Sequence, residues 1–262
     1  EEGDVVFTLG SCFAQHVGEQ LQHRMGEEMV CVNPFGVLYN PASIHQALTC
    51  LISEEDGESE IKASVFQGRD GMYHSWLFSG RFSSKCREGC EESISNSLRY
   101  AREMIRKTKL LCITFGTTRC YRLRDAAGCV VANCHKELPS SFVEEEPSAD
   151  VLKTDWLSLM KQLAEKFPEM KVCITVSPYR YKKYGFHESQ LQKSKLLLLA
   201  DAVEKETDNA FYFPSYEIML DELRDYRFYA TDMLHPSEQA VQIITERFAD
   251  WIFSDNMKRR AV

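Results

Sequence analysis

The chain has 262 residues, 44% of them hydrophobic, enough to build the core of one sizeable α/β domain. Its net charge of -8 and pI near 5.5 argue against nucleic acid and against an anionic membrane surface as partners. No run of about 18 apolar residues occurs, so no membrane-spanning segment is expected.

Residues 4–9 are β-branched and aromatic with no breaker before Gly10, and read as a buried strand. Phe13, Val17 and Leu21 then recur at helical spacing, with polar Gln15, Glu19 and Gln22 between them. Residues 29–32 read as a short second strand. A helix over 41–52 carries Ile44, Ala47, Leu48 and Leu51 on one face. Residues 61–88 and 119–137 break the pattern with β-like stretches. Ala63-Ser64-Val65-Phe66 is one, and Tyr121-Arg122-Leu123 with Cys129-Val130-Val131 reads as a hairpin around Asp125-Ala126-Ala127-Gly128. Helices are expected over 91–107, 149–167 and 187–206, strands over 109–115, 171–176 and 211–213. Val241, Ile244, Phe248 and Trp251 mark a last amphipathic helix. The acidic stretches 54–60 and Glu144-Glu145-Glu146-Pro147 read as solvated loops. Strands separated by helices imply right-handed crossovers and a parallel sheet covered on both faces. The expected fold is a three-layer α/β/α sandwich with a mostly parallel, flavodoxin-like sheet, formed as a single domain over 1–262, with hairpin insertions.

Two short motifs carry the chemistry. Gly10-Ser11-Cys12-Phe13-Ala14 stands where the first strand meets the first helix. Asp232-Met233-Leu234-His235-Pro236-Ser237 stands on the loop before the last helix. A serine hydroxyl is a weak nucleophile at neutral pH. It needs an imidazole to take its proton and a carboxylate to hold that imidazole in the right tautomer. Ligands of open α/β sheets bind outside the carboxyl ends of the strands, and the first amides of a helix are free to hold an anion. Cys12 also bears a nucleophilic atom, but the residue after the turn is expected to point away and pack.

The first motif resembles the signature of the GSCFA family, of the SGNH (GDSL-like) hydrolase superfamily. Further blocks are similar to that family: residues 33–41 (Asn-Pro-Phe-Gly-Val-Leu-Tyr-Asn-Pro), Thr114-Phe115-Gly116-Thr117-Thr118, Val131-Ala132-Asn133-Cys134-His135-Lys136, Ser177-Pro178-Tyr179-Arg180, Gly185-Phe186-His187-Glu188, and 216–229. The resemblance implies Ser11 as nucleophile, His235 as general base then acid, and Asp232 as its orienter. It also implies an oxyanion hole from the Ser11 and Gly36 amides and a side-chain donor. The superfamily's Gly-x-Asn-Asp is replaced here by Gly116-Thr117-Thr118-Arg119. Thr118 takes the asparagine's place, or Asn133 supplies an amide from the next segment; the better-directed NH2 favours Asn133.

His74, Trp76 and His135, in the inserted segments, are candidate substrate contacts, each also compatible with a packing role. Arg180, after the fourth strand, is placed to meet an anionic group or to pair with a nearby carboxylate, and the pairing is favoured. The ten cysteines follow no disulfide framework, and Cys86, Cys90, Cys129, Cys134 and His135 lack a clean zinc-ribbon spacing. They read as free thiols of a reducing, cytoplasmic compartment, although the chain begins at Glu1, which leaves a removed signal peptide open. No nucleotide-binding glycine pattern or metal box appears, so no cofactor and no metal are expected. The resulting expectation is a serine esterase acting on small acyl esters, such as acetyl groups on carbohydrates, through an acyl-enzyme. An acyltransferase with a sugar or glycan acceptor and a non-catalytic binding domain are its rivals.

Overall fold

Side chains along the first strand alternate between two apolar interiors. In this computed structural model, which describes residues 4–53, 62–124 and 129–253, Val5, Phe7 and Leu9 join one core and Val6 the other. In chain order the elements begin β1 (Val5–Gly10), α1 (Cys12–Met25), β2 (Val30–Val32) and α2 (Pro41–Ile52). The hairpin β3 (Val65–Gln67) and β4 (Tyr73–Ser75) leads to α3 (Arg87–Lys107) and β5 (Thr108–Phe115). Then come β6 (Cys120–Leu123), β7 (Val130–Val131), β8 (Phe142–Glu145), α4 (Ala149–Lys166) and β9 (Lys171–Val176). The chain closes with α5 (Phe186–Glu206), β10 (Ala210–Tyr212) and α6 (Glu238–Phe253).

The main sheet runs β2-β1-β5-β9-β10, and every neighbouring pair is parallel. Leu111, Ile113 and Phe115 of β5 and Val172, Ile174 and Val176 of β9 meet the core under α2, α3, α4 and α5. Leu110, Cys112 and Cys173 face the opposite core under α1 and α6, with Phe13, Val17, Ile244 and Phe248. That period of two, buried on both sides, is why these strands read as unbroken apolar runs. The molecule is a three-layer α/β/α sandwich. The chain enters at β1, steps to β2, then crosses to β5 on the other side. The strand order reverses there, so a crevice opens at the carboxyl ends of β1 and β5.

Helix α2 shows how locally the sequence sets its elements. Pro41 stands at its start and the Asn40 side chain accepts the Ser43 amide at 2.8 Å, a complete N-terminal cap. One expectation needs correction. The Glu144-Glu145-Glu146 stretch is not a free loop: Phe142–Glu145 forms the third strand of a small antiparallel sheet, β7-β6-β8. Its acidic side chains have partners, Arg122 Nε meeting Glu145 at 2.6 Å and Lys195 Nζ meeting Glu146 at 2.5 Å. The expected turn at 125–128 and the acidic stretch 54–60 lie outside the described residues.

Candidate active site

The site is built where β1 ends. Gly10 has φ +143°, and a Cβ there would overlap the Thr114 carbonyl oxygen of β5, so only glycine lets the two strands finish this close. The Gly10 amide donates to the Asn33 side chain at 2.9 Å, and Leu38 donates to the Gly10 carbonyl at 2.8 Å. Asn33 is fully buried and its Nδ2 also reaches Gln15 of α1 at 3.1 Å. One asparagine therefore ties the end of β1, the loop after β2 and the first turns of α1 into one unit.

Ser11 caps α1 in extended conformation without a side-chain cap bond. It is 2% exposed, and its hydroxyl has no hydrogen-bond partner among the described residues. A Cβ on Gly116 would lie 3.7 Å from the Ser11 Cβ, so the loop after β5 covers it. The next residue behaves differently from expectation. Cys12 is half-buried and lines a cleft of about 120 Å³ together with Phe13, His16, Ser177, Tyr179 and His235. Burial pushes the Cys12 thiol up, while the Phe13 amide, its own amide and the Lys193 ammonium pull the other way.

Across the cleft, His235 Nδ1 meets Asp232 Oδ2 at 2.5 Å. The carboxylate accepts, so Nδ1 carries the proton and Nε2 is the nitrogen left for chemistry. The other Asp232 oxygen accepts the amides of Leu234 at 2.9 Å and His235 at 3.0 Å. The hydrogen bond from His235, then these two amides, hold the Asp232 carboxyl down at about 2. Met233 takes φ +61°, which turns the chain tightly enough for the two side chains to meet.

The loop is held from outside by Arg180. Its Nη1 donates to the Met233 carbonyl and its backbone amide to the Leu234 carbonyl, each at 3.0 Å. The guanidinium lies 4.4 Å over the Phe186 ring and 5.2 Å over Tyr229. The carboxylate expected for Arg180 is thus replaced by a carbonyl of the loop that carries His235. Tyr179, beside it, packs its ring 4.4 Å from that of His235.

Beneath the cleft lies a residue that the motifs did not reveal. Lys193 of α5 is 2% exposed, and its ammonium donates to the Gly116 and Ser177 carbonyls, each at 2.7 Å. It joins the loops after β5 and β9. Burial pushes it down to about 7, with the charge on Cys12 opposing. The sequence carried a signal. Ser189, Gln192, Lys193, Leu196, Leu199, Ala200 and Val203 are all buried on α5, so Lys193 falls on the inward stripe.

The expected oxyanion donors are mostly engaged elsewhere. The Gly36 amide closes a turn on the Asn33 carbonyl at 2.7 Å, and a Cβ on Gly36 would overlap the Ser79 side chain. The Ser11 amide points at the Thr114 carbonyl, 3.4 Å away. Thr118 donates to Glu146 at 2.9 Å, a carboxylate that Lys195 and Arg119 also hold, so its hydroxyl proton is committed. Asn133 accepts the His135 amide at 2.7 Å. None of these four lines the cleft; Cys12 and Phe13, whose amides open α1 and lack intrahelical partners, border it.

The three expected substrate contacts also lie away from the cleft. His74 is buried between Ser83 at 2.6 Å and Asp70 at 3.0 Å, and stacks on His135. His135 gives its Nε2 to the Ser75 carbonyl at 2.8 Å, and burial pushes it below the usual imidazole range. Trp76 stacks on Phe66 and borders a larger cavity of about 750 Å³ between α2, α4 and the β6–β7 hairpin. All ten cysteines are free thiols. Among the described residues no helix is long and apolar enough to cross a membrane.

The profile of the GSCFA family matches residues 5–248. The chain belongs to the GSCFA family. The match runs from β1 through most of α6, so both motifs fall within it. No curated protein matches this GSCFA chain. Among solved structures it is similar to a protein from Streptococcus pneumonia, provisionally described as a platelet activating factor. The identity is 11%, the TM-score 0.46, and the match covers 95% of this chain and 84% of that one.

Proposed function

We propose that this GSCFA chain is a hydrolase of small acyl esters, with Ser11 at the start of α1 as nucleophile, His235 as general base and Asp232 as its orienter. The observation that carries this reading is the 2.5 Å contact between Asp232 and His235 Nδ1, on a loop whose imidazole shares a cleft with the start of α1. A carboxylate, an imidazole and a helix N-terminus are the parts that acyl transfer uses. Resemblance to the SGNH superfamily supports the same reading. His235 takes the nucleophile's proton through Nε2 and returns it to the leaving alcohol. The amides that open α1 lie where charge develops on the carbonyl oxygen and supply the donors that Gly36 and Thr118 do not.

Cleft size narrows the substrate. About 120 Å³ accommodates an acetyl or short acyl group. The test is turnover of p-nitrophenyl acetate against p-nitrophenyl palmitate, by the parent and by His235→Ala. Acetate is expected to be cleaved in preference, with at least a ~100-fold loss in the variant. Equal rates in parent and variant would remove His235 from the role, and a preference for palmitate would contradict the size argument.

A further inference from the structure

We infer that Lys193 is a positioning residue of the hydrolytic site: its buried ammonium holds the loop beside Ser11 and the loop that supports His235 in one register. The inference rests on the acyl-transfer reading above and adds to it a group outside the triad. Lys193 is 2% exposed, and its two 2.7 Å bonds go to loops that follow different strands. The Gly116 carbonyl belongs to the loop after β5, where a Cβ on Gly116 would stand 3.7 Å from the Ser11 Cβ. The Ser177 carbonyl belongs to the loop after β9, and Ser177 borders the cleft. Further along that loop, Tyr179 packs against the His235 ring, and Arg180 holds the Met233 and Leu234 carbonyls. One ammonium therefore joins the neighbour of the nucleophile to the support of the base.

A purely structural tie would not need a charge. The residue before it shows the neutral alternative: Gln192 accepts the Thr117 hydroxyl at 2.6 Å and ties the same loop to α5. Burying an ammonium costs more than burying an amide, and hydrogen bonds to two carbonyls offset that only in part. Its charge is felt at the start of α1, where it favours the thiolate of Cys12, one residue from Ser11. Of the titratable groups that face it, Cys12 comes from α1, and Tyr216, after β10, sets its ring 5.7 Å from the ammonium. Burial pushes both of these upward, so they stay neutral while Lys193 exchanges its proton. Burial pushes Lys193 itself down to about 7. Loss of that proton leaves an amine that binds carbonyls more weakly, slackens both loops and removes positive charge from beneath the cleft.

The experiment is the pH profile of kcat and KM for p-nitrophenyl acetate in the parent and in Lys193→Met. In the parent, kcat is expected to fall above the pH at which Lys193 loses its proton. Lys193→Met should lose ~10- to 100-fold in kcat at neutral pH, with KM within ~3-fold, and should lack the alkaline fall. An unchanged kcat, a loss confined to KM, or the same alkaline fall in the variant overturns the assignment. If Lys193→Met does not fold, carbon NMR of the lysine Cε atoms in the parent decides. One lysine should titrate far below the others and share its midpoint with the fall in kcat; a mismatch overturns the assignment. If the parent cleaves no ester, the hydrolytic reading fails by itself, and hydrogen exchange in the parent then tests the tie. The Thr117 amide donates to the Tyr39 carbonyl and the Arg180 amide to that of Leu234. Protection of both should fall by ~10-fold as Lys193 is deprotonated. Protection indifferent to that proton refutes the tie.

Discussion

Replacing Lys193 by methionine probes the floor of the site through its charge. The ammonium is buried and makes two 2.7 Å bonds to carbonyls, so each is a charge-assisted bond of about 1.5–3 kcal/mol. Burying the charge opposes them: it brings the group from its ordinary 10.5 down to about 7. At neutral pH the two effects nearly cancel, and a single melting temperature would decide little. The pH dependence is decisive. Above pH 7 the folded chain releases this proton while the unfolded chain keeps it up to 10.5, so the unfolded state binds more protons. Parent stability therefore gains ~1.4 kcal/mol per pH unit relative to Lys193→Met, until both states are neutral. Between pH 7.5 and 9.5 the gap should move by ~2.7 kcal/mol, or ~5–10 °C in melting temperature for a chain of this size. The two carbonyls hold the proton on and make this an upper value. Parallel thermal melts under reducing conditions read it. A gap between parent and variant that is the same at both pH values would refute the reasoning.

Asp232→Asn keeps an oxygen for the Leu234 and His235 amides but presents NH2 to the imidazole, placing the proton on Nε2; turnover should fall by ~10,000-fold with the fold retained, read by ester hydrolysis beside a thermal melt. The carboxylate's own contribution to the loop is present above pH 4 and fades as pH falls toward its folded value of about 2, which hydrogen exchange of the His235 amide would follow. Arg180→Ala removes the guanidinium from the Met233 carbonyl and should cost roughly 10- to 100-fold in turnover with little change in substrate affinity, since the base is displaced and not removed. Ser11→Ala deletes a buried hydroxyl that has neither a cap bond nor another partner among the described residues, so the melt should hold or rise by about 1 kcal/mol; a loss of that size would mean the hydroxyl has a partner.

The sandwich was legible because its signals are local. The apolar runs at Val5–Gly10 and Lys171–Val176 are buried on both faces, and Asn40-Pro41 states where α2 begins. β8 was not legible, because its acidic residues are satisfied by Arg122, Lys183 and Lys195 from other parts of the chain. The same holds for Thr118, whose place in the chain suggested an oxyanion donor but whose hydroxyl is taken by Glu146. The Asp232–His235 pair is local and was readable; its clamp by Arg180 is not. A strand that ends at Gly10 brings both Ser11 and Cys12 to the helix start, and how each sits against the cleft depends on the angle at which α1 leaves the sheet. That angle is set by Asn33, Gln15 and the packing of α1 on α6.

A double-mutant cycle on ester turnover tests most directly whether the first turn of α1 and the last loop act as one machine. If Ser11 and His235 work as a unit, Ser11→Ala combined with His235→Ala is no slower than either single variant, because removing one already disables the other. Losses that multiply in the double variant would show two independent contributions and contradict the shared site.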